Sequence, residues 1–275
     1  SQSVPQIVNL WGTPMNRILI GLFALFVVVS TTNDAQAQNL NRQVKHNNVP
    51  DVDESKERGL FGAVTIMSDY RSGGFTSSDE DPAIQGEIGY YVRGFYVGAS
   101  AGNVDFGKIN GNEIADWEVN LYAGYIRHMG RWEWDVGISY SHFPDAYDQN
   151  AELDYWEGSV GFMATVHENM RAGVRVYYSP DYSGESGDNW VFEGTVEREL
   201  RQIRGITPVL SASIGYQDGD EDKGNFDYWF WDAGLELQVH EHVSIDLRYH
   251  DADDVPFSCD SLCDAAFVGS LTVSF

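Results

Sequence analysis

Apolar and polar side chains alternate with a period of two through twelve stretches of the chain. They lie near 60–70, 83–92, 95–104, 116–127, 131–142, 153–164, 170–179, 189–198, 208–217, 228–239, 242–250 and 265–275. Side chains of a strand point to alternate faces, so each stretch predicts a strand with one apolar and one more polar face. Their lengths cluster near the ~9–11 residues that a tilted membrane-crossing strand needs. The last stretch is the most regular. Phe267, Gly269, Leu271, Val273 and Phe275 share one face; Val268, Ser270, Thr272 and Ser274 share the other. Strands that end on an aromatic residue in this way are common in bacterial outer-membrane barrels, where the ending resembles the signal read by the barrel-assembly machinery. Phe267, Leu271, Val273 and Phe275 are therefore the expected assembly signal, and that machinery an expected partner. The pattern predicts an all-β fold: an antiparallel up-and-down transmembrane β-barrel of about twelve strands over residues 60–275.

The connections sort into two kinds. After odd strands they are long and acidic: RSGGFTSSDED, DFGKINGNE, PDAYDQNAE, DYSGESGD, DGDEDKGN and DADDVPFSCDSLC. After even strands they are tight, at Arg93-Gly94, His128-Met129-Gly130, Val166–Asn169 and His240-Glu241, with Arg201–Thr207 the loosest. Short periplasmic turns opposite long outer loops are what such barrels have. Aromatics also sort by height. Trp117, Tyr140, Trp156, Tyr178, Trp190, Trp229, Tyr249 and Phe267 fall at the outer rim; Tyr90, Phe95, Tyr125, Trp132, Phe162 and Phe275 fall at the inner rim. Between them lie aliphatics such as Leu121, Val136, Ile138, Val174 and Leu247. Two girdles about an apolar band predict a lipid-facing wall. The core of a soluble sandwich would not keep its aromatics out of the strand middles.

Upstream, Met15–Ala37 reads as a signal peptide: Arg17, an apolar run Ile18–Val29, and the small-x-small site Ala35-Gln36-Ala37. The apolar run is short of the roughly 20 residues of a spanning helix. Residues 1–14 read as a non-native or misannotated leader and 38–59 as a polar periplasmic lead-in, which predicts export to the outer membrane of a Gram-negative bacterium. Seventeen Lys and Arg against 42 Asp and Glu give a net charge of −25. Such a chain repels phosphate backbones, which excludes nucleic acid as a partner. The two cysteines, Cys259 and Cys263, predict a loop-tip disulfide in an exported protein.

The faces opposite the apolar band carry the charge. Asp69, Glu87, Glu118, Glu133, Asp135, Glu157, Glu193, Glu197, Asp232, Glu236 and Asp246 fall there, with Arg131, Arg171, Arg175 and Arg248. A charge on the lipid face costs on the order of 2–4 kcal/mol for Arg or Lys, so these residues are expected to face the lumen. One Arg per carboxylate would leave seven carboxylates without an Arg partner, which predicts a wet, cation-favouring lumen. The other reading is a closed interior plugged by ion pairs.

No catalytic residue, metal or cofactor is expected. Ser141 and His142 are adjacent and point to opposite faces. His250, followed by Asp251, Asp253 and Asp254, is the one Asp-His arrangement for a rim hydrolase, the weaker alternative. Asp218, Asp220 and Asp222 begin like a calcium loop, but Lys223 and Trp229 stand where Gly and Glu are needed. Diffuse divalent cations bridging acidic loops to lipopolysaccharide are the weaker expectation.

Residues 68–106 resemble the opening of the TorF-like porin family of outer-membrane proteins. The resemblance rests on Ser68-Asp69-Tyr70, Pro82-Ala83-Ile84-Gln85-Gly86, Gly94-Phe95-Tyr96 and Asn103-Val104-Asp105-Phe106, with LYAGY at 121–125 and WDVGISYSHFP at 134–144 similar too. Arg71-Ser72-Gly73-Gly74 departs from the family's Phe-Arg-Gly pattern. The resemblance implies an outer-membrane barrel with a channel activity for small solutes and no catalytic residues. A non-conducting structural or adhesive barrel is the alternative.

Overall fold

The computed structural model describes residues 58–109, 111–144, 146–147, 152–255 and 262–275. The expected signal peptide at 15–37, the leader before it, the lead-in up to residue 57, and Cys259 lie outside the described residues. Twelve strands form the barrel: β1 (Arg58–Met67), β2 (Ala83–Val92), β3 (Phe95–Asn103), β4 (Trp117–Met129), β5 (Trp132–His142), β6 (Tyr155–His167), β7 (Met170–Ser179), β8 (Asn189–Glu199), β9 (Thr207–Gly219), β10 (Tyr228–His240), β11 (Val243–Asp253) and β12 (Ala266–Ser274). Each pairs antiparallel with its neighbour in sequence, and β1 pairs with β12, so the sheet closes on itself. All twelve predicted stretches are strands, with ends displaced by at most three residues. β1 begins at Arg58, inside the expected lead-in.

Closure joins Ala63–Met67 to Ser270–Ser274 in register. Beyond that ladder, Gly62 N–H donates to the Phe275 carbonyl (3.1 Å) and Phe275 N–H to the Gly62 carbonyl (2.9 Å). The Phe275 ring lies over Gly62, where an added Cβ would stand 2.6 Å from it. The tight turns follow from twist. Arg93 and Gly94 have φ of 50° and 92°, and Arg204 and Gly205 have 54° and 87°. Positive φ at both central residues is what a two-residue hairpin turn needs to match right-handed strands.

The outer wall is apolar along its full girth. Leu60, Val64, Ile88, Val97, Leu121, Val136, Ile138, Val174 and Leu247 are exposed on it, with Trp117, Trp156, Trp190 and Trp229 at one rim and Tyr90, Phe95 and Trp132 at the other. So large an apolar surface exceeds what a water-soluble monomer exposes. Burial is inside. Phe61, Tyr91, Tyr96, Tyr122 and Ile126 form an inward cluster at the short-turn end of β1–β4. Glycines make room for these rings: a Cβ at Gly98 would meet the Tyr122 hydroxyl at 2.3 Å, and one at Gly124 the Tyr96 ring at 2.3 Å.

One long connection folds inward. Arg71–Ser72 and Phe75–Thr76 pair as a short hairpin. Its tip sits against the lumen side of β10 and β11: Gly74 lies beside Phe230 and Ala252, and Gly73 beside the Tyr228 hydroxyl. Phe75 packs edge-on to Tyr228 with ring centroids 5.0 Å apart.

Candidate functional site in the barrel lumen

The inward faces of β2, β4–β8, β10 and β11 bring ten of the predicted carboxylates and three of the predicted arginines into one interior. Arg175 of β7 donates to Asp135 of β5 (2.6 Å), and the Tyr96 hydroxyl donates to the other oxygen of Asp135 (3.0 Å). To do so the guanidinium passes over Gly161 of the intervening strand, where a Cβ would stand 2.6 Å from it. Arg171 lies between Glu133 at 2.7 Å and Glu197 at 3.9 Å. Glu133 is also 3.5 Å from His128. Arg248 joins Asp232 and Asp246, the latter at 3.1 Å, and donates to Ser211 (2.8 Å); Ser213 donates to Asp232. Asp135 and Asp232 are only 1% exposed. Charges so far from water persist because each is paired and hydrogen-bonded.

The expectation of one Arg per carboxylate fails. Arg171 and Arg248 each bridge two carboxylates, so three guanidinium groups hold five acids. Three of the remaining five meet hydroxyls. Tyr122 donates to Glu87, Tyr70 donates to Glu118 (3.2 Å), and Thr195 donates to Glu193 (3.2 Å). Glu157 and Glu236 also face inward. Between Arg171, Arg175, Glu133, Glu193 and Glu197 a cavity of about 50 Å³ remains, room for a few water molecules.

Two expected lumen residues stand elsewhere. Asp69 lies past the end of β1 and is buried in the inward hairpin: Arg71 Nε contacts it at 2.5 Å, and Thr76 (2.6 Å) and Ser78 (3.2 Å) donate to it. Arg131 is exposed at the β4–β5 turn, its guanidinium 4.7 Å from the Trp132 ring. Cys263 is buried and disulfide-bonded.

Alternation could have found Tyr96 and Tyr122, which share parity with Ser100 and Glu118. Tyr70, Arg71 and Tyr182 lie in loops, where no periodicity points inward. Tyr182 packs against Tyr155 with ring centroids 4.7 Å apart and planes tilted by 57°. Burial, with the Glu157 charge second, pushes its hydroxyl up to about 12. The Glu118 charge, then burial, raises Tyr70 well above the usual tyrosine value. Both hydroxyls therefore stay protonated donors across the physiological range. His250 stands opposite Asp232 in register and is buried, beneath the strand position where Gly74 meets Ala252. Ser141 is buried and donates to Asn120, while His142 contacts Asp154.

A closed antiparallel sheet with an apolar exterior, aromatic rims and a polar, charge-paired interior defines a membrane-spanning β-barrel. The chain belongs to the Gcw_chp family, described as a bacterial protein of unknown function, whose model matches residues 55–275. That match does not confirm the TorF-like resemblance by name. No curated protein matches the chain. Solved structures similar in fold include the NanC porin (14% identity, 79% of this chain and 99% of that one, TM-score 0.45). LpxR from Salmonella typhimurium is another (9%, 78% and 99%, TM-score 0.43), as is OmpF from Salmonella typhi in complex with daunomycin (9%, 79% and 97%, TM-score 0.39). At such identities and TM-scores nothing about activity passes from them to this chain.

Proposed function

We propose that the barrel is a narrow porin-like channel of a Gram-negative outer membrane that favours small cations and neutral solutes. The observation that carries this reading is the lumen's charge: ten carboxylates share three guanidinium groups. The excess negative field, confined by a low-dielectric wall, concentrates cations and repels anions. Short turns face the periplasm and the acidic loops face outward, where divalent cations can bridge them to lipopolysaccharide. Assembly by the barrel machinery, through the strand bearing Phe267, Leu271, Val273 and Phe275, belongs to the same reading, and the TorF-like resemblance supports it. A rim hydrolase built on His250 has less support, because the inward hairpin overlies that residue's strand.

The test is single-channel conductance in planar bilayers with reversal potentials under a salt gradient. Cation-selective currents are expected. Replacing Glu87, Glu118 and Glu157 together with Gln removes three lumen carboxylates while leaving every arginine its hydrogen-bonded carboxylate. The cation/anion permeability ratio should then fall towards unity, most clearly near 0.01 M salt, where the Debye length is about 30 Å. Complete absence of current in the parent would instead favour the second reading, a non-conducting structural barrel. That reading draws on the bridging arginines and on the inward tyrosines Tyr96 and Tyr122, which donate to Asp135 and Glu87.

A further inference from the structure

We propose that the outer wall carries a binding site for the headgroup of an anionic glycerophospholipid, at the short-turn end of β4–β6. Arg127 of β4 is the register partner of Trp134 of β5, which is in turn the partner of Phe162 of β6. All three fall on the outward face. Trp132 stacks on Phe162 at 5.0 Å with an interplanar angle of 27°, and Trp134 meets the same ring edge-on at 4.7 Å. Arg131 completes the patch, its guanidinium held 4.7 Å from the Trp132 ring centroid. Both arginines are exposed, and Trp132 and Trp134 remain 38% and 45% exposed.

This arrangement suits one chemistry. Two guanidinium groups offer paired N–H donors to a phosphate, which arginine engages better than a point charge would. The aromatic slab level with Arg127 and on the membrane side of Arg131 sits where ring systems favour the boundary between headgroup and acyl chain. Glu133 lies between the two tryptophans in sequence but faces the lumen, where Arg171 holds it, so its charge does not offset the pair on the outer face. The opposite rim offers no equivalent. Its long connections contain Arg71, Lys108 and Lys223 as their basic residues; Arg71 is buried and Lys108 is bound to Glu113. A chain of net charge −25 thus shows positive charge to the bilayer at one rim. The phospholipid leaflet at that rim, rather than lipopolysaccharide, is the source of the ligand. Phosphate and glycerol would be gripped by Arg127 and Arg131, and an acyl chain laid along Trp134 and Phe162.

The proposal rests on the outer-membrane placement and orientation proposed above but not on conduction, since a barrel that passes no ions would keep the lipid preference. Native mass spectrometry of the full barrel, released from micelles containing either phosphatidylglycerol or phosphatidylcholine, reads it directly. The parent should retain phosphatidylglycerol several-fold more tightly, and added salt should weaken the difference. Arg127→Gln with Arg131→Gln should bring the two lipids to parity while heat-modifiable migration stays intact. Arg201→Gln with Arg204→Gln, at a different inner turn, should keep the parent's preference. Equal retention of both lipids by the parent would overturn the proposal, as would a preference surviving the Arg127/Arg131 pair of changes. So would loss of preference in the Arg201/Arg204 control, which would mean diffuse charge rather than a built site.

Discussion

Asp154 stands just before β6 with three donors around its carboxylate: Phe143 N–H at 2.8 Å, the Tyr140 hydroxyl at 2.7 Å and His142 Nδ1 at 2.5 Å. Partial burial works against its ionisation, but His142, Phe143 and Tyr140 together outweigh burial and hold its pKa below the usual 3.8. A carboxyl whose folded pKa is lowered contributes stability above its unfolded value and loses it as pH falls through the folded one. Denaturant midpoints of the micelle-bound barrel should therefore drop more steeply with acidification in the parent than in Asp154→Asn, between about pH 5 and pH 2. Parallel curves would mean that the contacts do not bias its ionisation. At this scale residue types were legible and partners were not. Alternation placed Arg175 and Asp135 in the lumen, yet their pairing spans an intervening strand and depends on Gly161 leaving the path open. No periodicity encodes that.

The inward hairpin at 71–76 lies against the lumen side of β10 and β11, near the outer end of the barrel. Its core is the buried Asp69–Arg71 pair, and Arg71 also donates to the Gly74 carbonyl (3.1 Å) and to the Asp264 carbonyl (2.5 Å), tying the hairpin to the connection before β12. Removing one partner of a buried pair destabilises its surroundings by about 3–5 kcal/mol, because the other charge is stranded. Arg71→Ala should therefore free the hairpin while the strand ladder persists. Faster proteolysis within residues 71–76 and larger single-channel currents are expected. Unchanged cleavage and current would show that Arg71 does not hold it. Strands were legible here because their period is local. The hairpin read as one more polar loop, since its inward turn depends on a surface, Tyr228 and Phe230, that exists only once β10 is in place.

Across the whole molecule, the up-and-down order followed from twelve alternating stretches and alternate short connections, and every sequential pair formed as that order requires. Closure was expected at β12, but its fit was not legible: Gly62 is small because the Phe275 ring covers it. Gly62→Val and Phe275→Ser should each lower the amount of heat-modifiable barrel in outer-membrane fractions and leave protease-sensitive chain behind. Wild-type abundance of both variants would remove the seam from assembly. The seam has a further consequence. β1 shares ten register partners with β2 but five with β12. Each other strand pair zips up through a connection of modest length, whereas this one must bring together segments more than two hundred residues apart. Loop-closure entropy and the slowness of non-local pairing both place that event last. The barrel's lifetime is then set at its shortest ladder: the join that forms last in time is also the first that can part, and the kinetic persistence of the folded wall depends on a phenylalanine ring resting in the space a side chain would otherwise fill.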